Sequence, residues 1–184
     1  MLKRIYRRLF RKKKTTKDYS ESYVERLRRE GATIGENVDI LDSHIEGGAV
    51  APLLRVGNNV TLTGVRILLH DASTYKCLGY TKVGEVTIGD DVFVGIGSII
   101  LPGTHIGNKV IIGAGAVVAK DIPDNSVAVG NPIRVVCTYD EYMERQKARL
   151  ESGVVIDYTL EELCREENAG KADALLDAKW GFVK

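Results

Sequence analysis

The chain has 184 residues, 44% hydrophobic and 28% charged, with a formal net charge of +1. That is enough for one domain with appendages and a real core, and no apolar run reaches the roughly 20 residues that span a bilayer. Cys77, Cys137 and Cys164 stand far apart with no Cys-x-x-Cys pair, which argues against a zinc site or a disulfide framework and points to a reducing compartment, with the cytoplasm as the default.

The first segment is strongly basic. Residues 1–17 hold nine of the 26 Lys/Arg and none of the 25 Asp/Glu, so the remaining 167 residues carry a net −8. Leu2, Ile5, Tyr6, Leu9 and Phe10 fall on one helical face with Lys3, Arg4, Arg7, Arg8 and Arg11 around it. More charge follows, not the apolar stretch of a signal peptide. The expectation is a basic helical extension over residues 1–30. Its residues 1–14 either lie on an anionic membrane surface, the preferred reading, or cap the element that follows. Nucleic acid binding is not expected, because nothing else in the chain resembles a base-reading module.

The next element is a repeat. From residue 88 an aliphatic residue followed by a small or medium one recurs every six positions: Ile88-Gly89, Val94-Gly95, Ile100-Leu101, Ile106-Gly107, Ile112-Gly113 and Val118-Ala119. Four residues after the aliphatic stand Val92, Ser98, Thr104, Val110 and Ala116. A period of six fits neither a helix nor a simple strand. It fits a solenoid of short flat strands with two inward side chains per repeat and a tight turn, where Gly is expected to supply φ > 0. The pattern also appears out of phase at Ile34-Gly35 and Val56-Gly57, so insertions are predicted near 46–55 and 71–85. Loops pushed out of a solenoid often line binding sites. After the coil, residues 138–184 read as a helical extension: Thr138 and Glu141, then Thr159 and Glu162, have capping-box spacing.

The hexads, closed by KDIPDNSVAVGNPIRVV at 120–136, resemble the bacterial hexapeptide acyltransferases. Maltose and galactoside acetyltransferases and the O-acetyltransferases of surface polysaccharide clusters are the nearest kinds. The resemblance covers about residues 31–137. It implies a mainly β fold, a left-handed parallel β-helix of three hexads per turn, and a homotrimer with active sites between subunits. It also implies transfer of an acetyl group from acetyl-CoA to a hydroxyl of a sugar or surface-polysaccharide precursor, free or lipid-linked.

That chemistry needs a base for the acceptor hydroxyl and a donor for the tetrahedral oxyanion. Histidine suits the first role, and His70 stands where a repeat gives way to the long insertion, the place of the catalytic histidine in the sugar acetyltransferases. Asp71 is a candidate to orient it and a candidate acceptor contact. Asp42 and His44, in an irregular stretch, and Tyr75, in the insertion, are candidate acceptor contacts, with a plain Asp42/Ser43 turn as the alternative. His105 is expected to be outward and solvated. On the acetyl-CoA side the resemblance assigns the sterically open Gly95, Gly97, Gly113, Ala114 and Gly115 to the pantetheine arm, with Phe93 as its flanking aromatic. It places Lys120 and Arg134 at the nucleotide phosphates. Ala119 replaces the usual Thr of that motif, which removes one hydroxyl contact.

No metal is expected. The zinc-dependent carbonic anhydrases with this coil space two histidines five apart, whereas His44, His70 and His105 are far apart. The alternatives that stay open are N-acetylation of an amino nucleotide sugar and a non-catalytic scaffold. A serine acceptor is disfavoured, because thirty residues before the coil cannot supply the helical domain of that group.

Overall fold

The computed structural model describes residues 16–163 and 180–184. The chain forms two compact units, one through Tyr139 and one from Asp140. The first begins with helix α1 (Thr16–Arg29). Val24 and Leu27 of α1 are buried in the main core, and its polar side chains meet the start of the coil. The Ser20 hydroxyl accepts the Ile40 N–H at 2.7 Å, the Tyr23 hydroxyl accepts the Ile45 N–H at 3.1 Å, and Arg28 donates to the carbonyls of Ile34 and Gly35. An open strand edge is a template for unwanted pairing, and α1 occupies this one. The amphipathic run from Leu2 to Phe10, with its proposed membrane face, lies outside the described residues.

Four coils follow. The first is β1 (Thr33–Ile34), β2 (Val38–Leu41) and β3 (His44–Ile45); the second is β4 (Leu54–Val56), β5 (Val60–Thr63) and β6 (Arg66–Ile67). A loop then holds β7 (His70–Asp71), α2 (Tyr75–Leu78) and β8 (Lys82–Val83). The third coil is β9 (Val86–Ile88), β10 (Val92–Val94) and β11 (Ile99–Ile100), and the fourth β12 (His105–Ile106), β13 (Val110–Ile112) and β14 (Val117–Val118). Equivalent strands stack in parallel into three sheets, β1-β4-β9-β12, β2-β5-β10-β13 and β3-β6-β11-β14. Beyond them β15 (Ser126–Val129) pairs in parallel with β13, and β16 (Arg134–Thr138) folds back antiparallel on β15 and closes that edge.

The coil length follows from the hexads. Asp90 and Asn108, equivalent on successive coils, are 18 residues apart, which is three hexads. Asn37 to Asn59 takes 22 residues and Asn59 to Asp91 takes 32. The excess is pushed out as the 3₁₀ turn Gly48–Leu53 and the loop from His70 to Val83. Both predicted inward positions face the interior: Ile88, Val94, Ile100, Ile106, Ile112 and Val118 are buried, as are Val92, Ser98, Thr104, Val110 and Ala116.

The glycines after the aliphatic positions have a different cause from the one expected. Gly35, Gly57, Gly89 and Gly107 are not left-handed; Asn37, Asn59, Asp91 and Lys109 of the same turns are, with φ of 55°, 55°, 56° and 52°. Asn and Asp tolerate that region better than most residues. Glycine is needed for close approach instead. A Cβ on Gly57 would stand 2.7 Å from the Gly89 carbonyl, and one on Gly89 would stand 2.8 Å from that of Gly107. A side-chain ladder seals this corner. Asp90 Oδ1 accepts the Asn58 N–H, Asn108 Oδ1 accepts the Asp90 N–H, and Asp124 Oδ1 accepts the Asn108 N–H, at 2.6, 2.8 and 2.7 Å.

Helix α3 (Tyr139–Ser152) leads into the second unit, where β17 (Val155–Ile156) pairs in parallel with β18 (Phe182–Val183) across α4 (Leu160–Leu163) in sequence. The capping box at α4 is made: Glu162 accepts the Thr159 N–H at 2.8 Å and the Thr159 hydroxyl accepts the Glu162 N–H at 3.2 Å. Among the described residues, no helix is long and apolar enough to cross a membrane.

If close approach is what requires glycine, Gly57→Ala should lower stability by about 1–3 kcal/mol, the usual cost of overpacking. The check is the midpoint of denaturant unfolding against wild type at matched protein concentration.

Candidate active site at a coil corner

Where the second coil ends, Ile67 and Leu69 are fully buried. Strand alternation therefore turns Leu68 and His70 away from the core. His70 is the first residue of the inserted loop and pairs with Val83 across its antiparallel base. The feature that defines the site is Glu46, 24 residues earlier and one coil below. Its Oε2 accepts the Leu69 N–H at 2.6 Å, the His70 N–H at 3.1 Å and His70 Nδ1 at 2.8 Å. The Glu46 side chain is 16% exposed and the His70 side chain 45%. A carboxylate is acceptor-only, so Nδ1 carries the proton of the neutral ring and Nε2 is left as the basic nitrogen. The contact with this partly exposed carboxylate fixes the ring in tautomer and direction.

Asp71 does not orient His70. It grips the loop instead: Lys82 Nζ lies 2.5 Å from Asp71 Oδ2, and Asp71 Oδ1 accepts the Ser73 N–H at 2.8 Å. The hydrogen bond from Lys82, followed by that from Ser73, lowers the Asp71 pKa to about 2. Tyr75 is exposed on α2 and is not among the residues that line the cleft at His70. Asp42 is also outside that lining; with φ of 48° it makes the left-handed turn between β2 and β3. The neighbouring Ser43 hydroxyl donates to a carbonyl and accepts the Val65 N–H.

His44 does reach the cleft, projecting outward from β3 beside its register partner Arg66. The cleft has a volume of about 510 Å³. Its lining includes Tyr23 and Arg26 of α1, Glu30 just after that helix, and His44, Glu46 and His70. The N-terminal residues of this lining and Glu46 escaped the sequence reading. Only the coil length, which puts Glu46 under the residues just before His70, could have revealed the latter.

The residues assigned to the cosubstrate lie elsewhere on the coil. Phe93 projects from β10 between Thr61 and Ile111 and is 43% exposed. It lines a shallow groove with Asn59, Asp91 and Tyr139. Its sheet is not the one that ends at His70. Gly95 and Gly113 are not open: a Cβ would stand 2.7 Å from Ala114 N in the first case and 2.8 Å from Val129 Cγ1 in the second. Gly97 and Gly115 are left-handed, with φ of 76° and 70°. Ala114, Ala119, Lys120 and Arg134 are exposed. Lys120 follows β14 as His70 follows β6, two strands along the same sheet, a rise of roughly 10 Å. His105 is outward but not merely solvated, since its ring bonds Thr87 and its N–H donates to Asp121. Among the described residues no group of three or more His, Cys, Asp or Glu could hold a metal ion.

The stacked hexads define a hexapeptide-repeat fold. The family described as bacterial transferase hexapeptide (six repeats) matches residues 85–120. Protein CapG of Staphylococcus aureus is 34% identical over 124 residues, 64% of this chain and 72% of CapG. YvoF of Bacillus subtilis (strain 168) is 36% identical over 96 residues, and the chain spans about half, 51%, of its length. A solved maltose O-acetyltransferase from Clostridium difficile 630 is 32% identical over 71% of this chain and 81% of that one, with a TM-score of 0.50. The chain belongs to the hexapeptide-repeat acyltransferases, and its coil is their left-handed β-helix.

The Asp71–Lys82 clasp gives a pH expectation. A carboxyl whose folded pKa is depressed stabilises the folded loop above its ordinary value of 3.8, and that contribution is lost as pH falls towards 2. The loop from Ala72 to Thr81 should therefore stay resistant to proteolysis between pH 7 and 4 in wild type. Asp71→Asn should be cut there markedly faster at pH 7, as mapped by mass spectrometry of the fragments.

Proposed function

We propose that this protein transfers an acetyl group from acetyl-CoA to a hydroxyl of a sugar or surface-polysaccharide precursor, with His70 as general base. The observation that carries the reading is the Glu46–His70 pair in the lining of one cleft. In the reaction, His70 Nε2 takes the proton of the acceptor hydroxyl while its oxygen attacks the thioester carbonyl. The imidazolium so formed keeps its Nδ1–H on Glu46, whose charge compensates it. Collapse of the tetrahedral intermediate breaks the carbon–sulfur bond. The departing thiolate of CoA then takes the proton back from Nε2, so base and charge are restored.

In this reading Phe93 flanks the pantetheine arm beside Gly95, Gly97, Gly113, Ala114 and Gly115, while Ala119, Lys120 and Arg134 meet the nucleotide end. The open face at Ala114 and Gly115 and the exposed cations Lys120 and Arg134 suit that role; Gly95 and Gly113 contribute backbone only. Phe93 stands on the third coil and His70 at the end of the second, in different sheets, which supports a homotrimer whose neighbouring copies bring the two surfaces together. His44 belongs to the acceptor side; Asp42, Asp71 and Tyr75 act there only indirectly. The protein is placed in the cytoplasm, with residues 1–14 as a contact for the anionic inner membrane face where lipid-linked acceptors reside.

Thiol release from acetyl-CoA with a panel of sugars, sugar phosphates and amino sugars tests the proposal. His70→Ala should lower kcat by roughly 10²–10⁴-fold, the worth of general acid–base catalysis, with the KM for acetyl-CoA within threefold of wild type. Turnover of amino sugars alone would replace the hydroxyl by an amine. An inert wild type would favour a scaffold.

A further inference from the structure

We infer that the acceptor carries an anionic group beside its reacting hydroxyl and that Arg26 recognises it, an inference that rests on the transferase reading of the same cleft. Arg26 is oriented but not spent. Its guanidinium carbon stands 4.4 Å from the centroid of the Tyr23 ring, a cation–π contact that holds the head group over the ring. Its Nε is 3.9 Å from Glu30 Oε1, beyond hydrogen-bond reach. The other oxygen of Glu30 accepts the Gly48 N–H at 2.9 Å. The two terminal amino groups of Arg26 have no hydrogen-bond partner among the described residues, although the side chain is 46% exposed and lines the cleft at His70.

The other charges of the cleft sharpen the assignment. Glu46 looks like a counter-charge, but its carboxylate oxygen already accepts three N–H groups. His44 adds a second donor in the lining, and its register neighbour Arg66 adds a second exposed cation on the same sheet. The cleft lining sets one arginine against the carboxylates of Glu30 and Glu46, and its unspent donors beside His70 are the terminal amino groups of Arg26. A planar fork of N–H donors matches carboxylate or phosphate oxygens in two-point contact. A neutral hydroxyl offers neither the opposite charge nor two coplanar oxygens to meet both arms of the fork. The shared chemistry is an oxyanion on the sugar, either the carboxylate of an acidic sugar or a phosphate ester.

Paired acceptors that differ only in that group test this, with glucose as the neutral member, glucuronic acid as the carboxylate arm and glucose 1-phosphate as the phosphate arm. Wild-type kcat/KM should favour one charged arm over glucose by roughly 10–100-fold, the range of one charge-assisted contact. In Arg26→Gln that ratio should collapse towards one, and Arg26→Lys, which keeps the charge but not the fork, should fall between. Circular dichroism melts of both variants confirm that α1 still folds. Calorimetric binding of the same three sugars without acetyl-CoA separates two failures. A binding preference lost in Arg26→Gln but accompanied by no thiol release would uphold the anion site and overturn acyl transfer. Turnover without preference, or a preference untouched by Arg26→Gln, would overturn the anion site and leave acyl transfer standing.

Discussion

The structure depends on one constraint: the chain must return to the same lateral position with the backbone of each coil in contact with the next. Eighteen residues, three hexads, achieve this between Asp90 and Asn108. The contact is close enough that Gly57, Gly89 and Gly107 admit no Cβ. Inward Val, Ile and Leu then stack in columns, which supplies the apolar burial that stabilises the unit. Any residues beyond eighteen have no place in the stack and must leave at a corner. The two sites where they leave, at Gly48–Leu53 and His70–Val83, flank the cleft that holds Glu46 and His70.

The geometry of His70 follows from the same constraint. Successive coils put the end of β3 under the end of β6, so a side chain just past Ile45 can reach the backbone just past Ile67. Glu46 does so and accepts the N–H groups of Leu69 and His70 before it reaches the ring. The carboxylate thus stabilises the departure of the loop and orients the imidazole at once. Helix α1 completes the cleft because the first coil has an open edge to cover. The residues that face the cleft, Tyr23, Arg26 and Glu30, lie on the segment that provides this cover.

Much of this was legible in the sequence, and the reason is the period. Six aliphatic positions in strict register, from Ile88 to Val118, leave the coil no other solution, and His70 stands out as the histidine at a break in the pattern. What escaped was whatever depends on distance between coils. The glycines were assigned to left-handed turns, but the residues Asn59, Asp91 and Lys109 carry that conformation, and the glycines answer to the next coil. Asp71, adjacent to His70 and so poorly placed to face it, was the one partner the sequence offered; the partner of His70 is Glu46, which only the coil length makes a neighbour. The N-terminal part of the lining was hidden because Tyr23, Arg26 and Glu30 follow helical spacing and carry no motif.

The central claim is that Glu46 acts through His70 and not through the fold. A double-mutant cycle of Glu46→Gln and His70→Ala, read as single-turnover thiol release, tests it directly. Glu46→Gln should slow the reaction by roughly 10–100-fold when His70 is present, as the loss of an orienting partner does. It should have no further effect when His70 is Ala. Equal slowing in both backgrounds would contradict the claim and reduce Glu46 to a support of the loop.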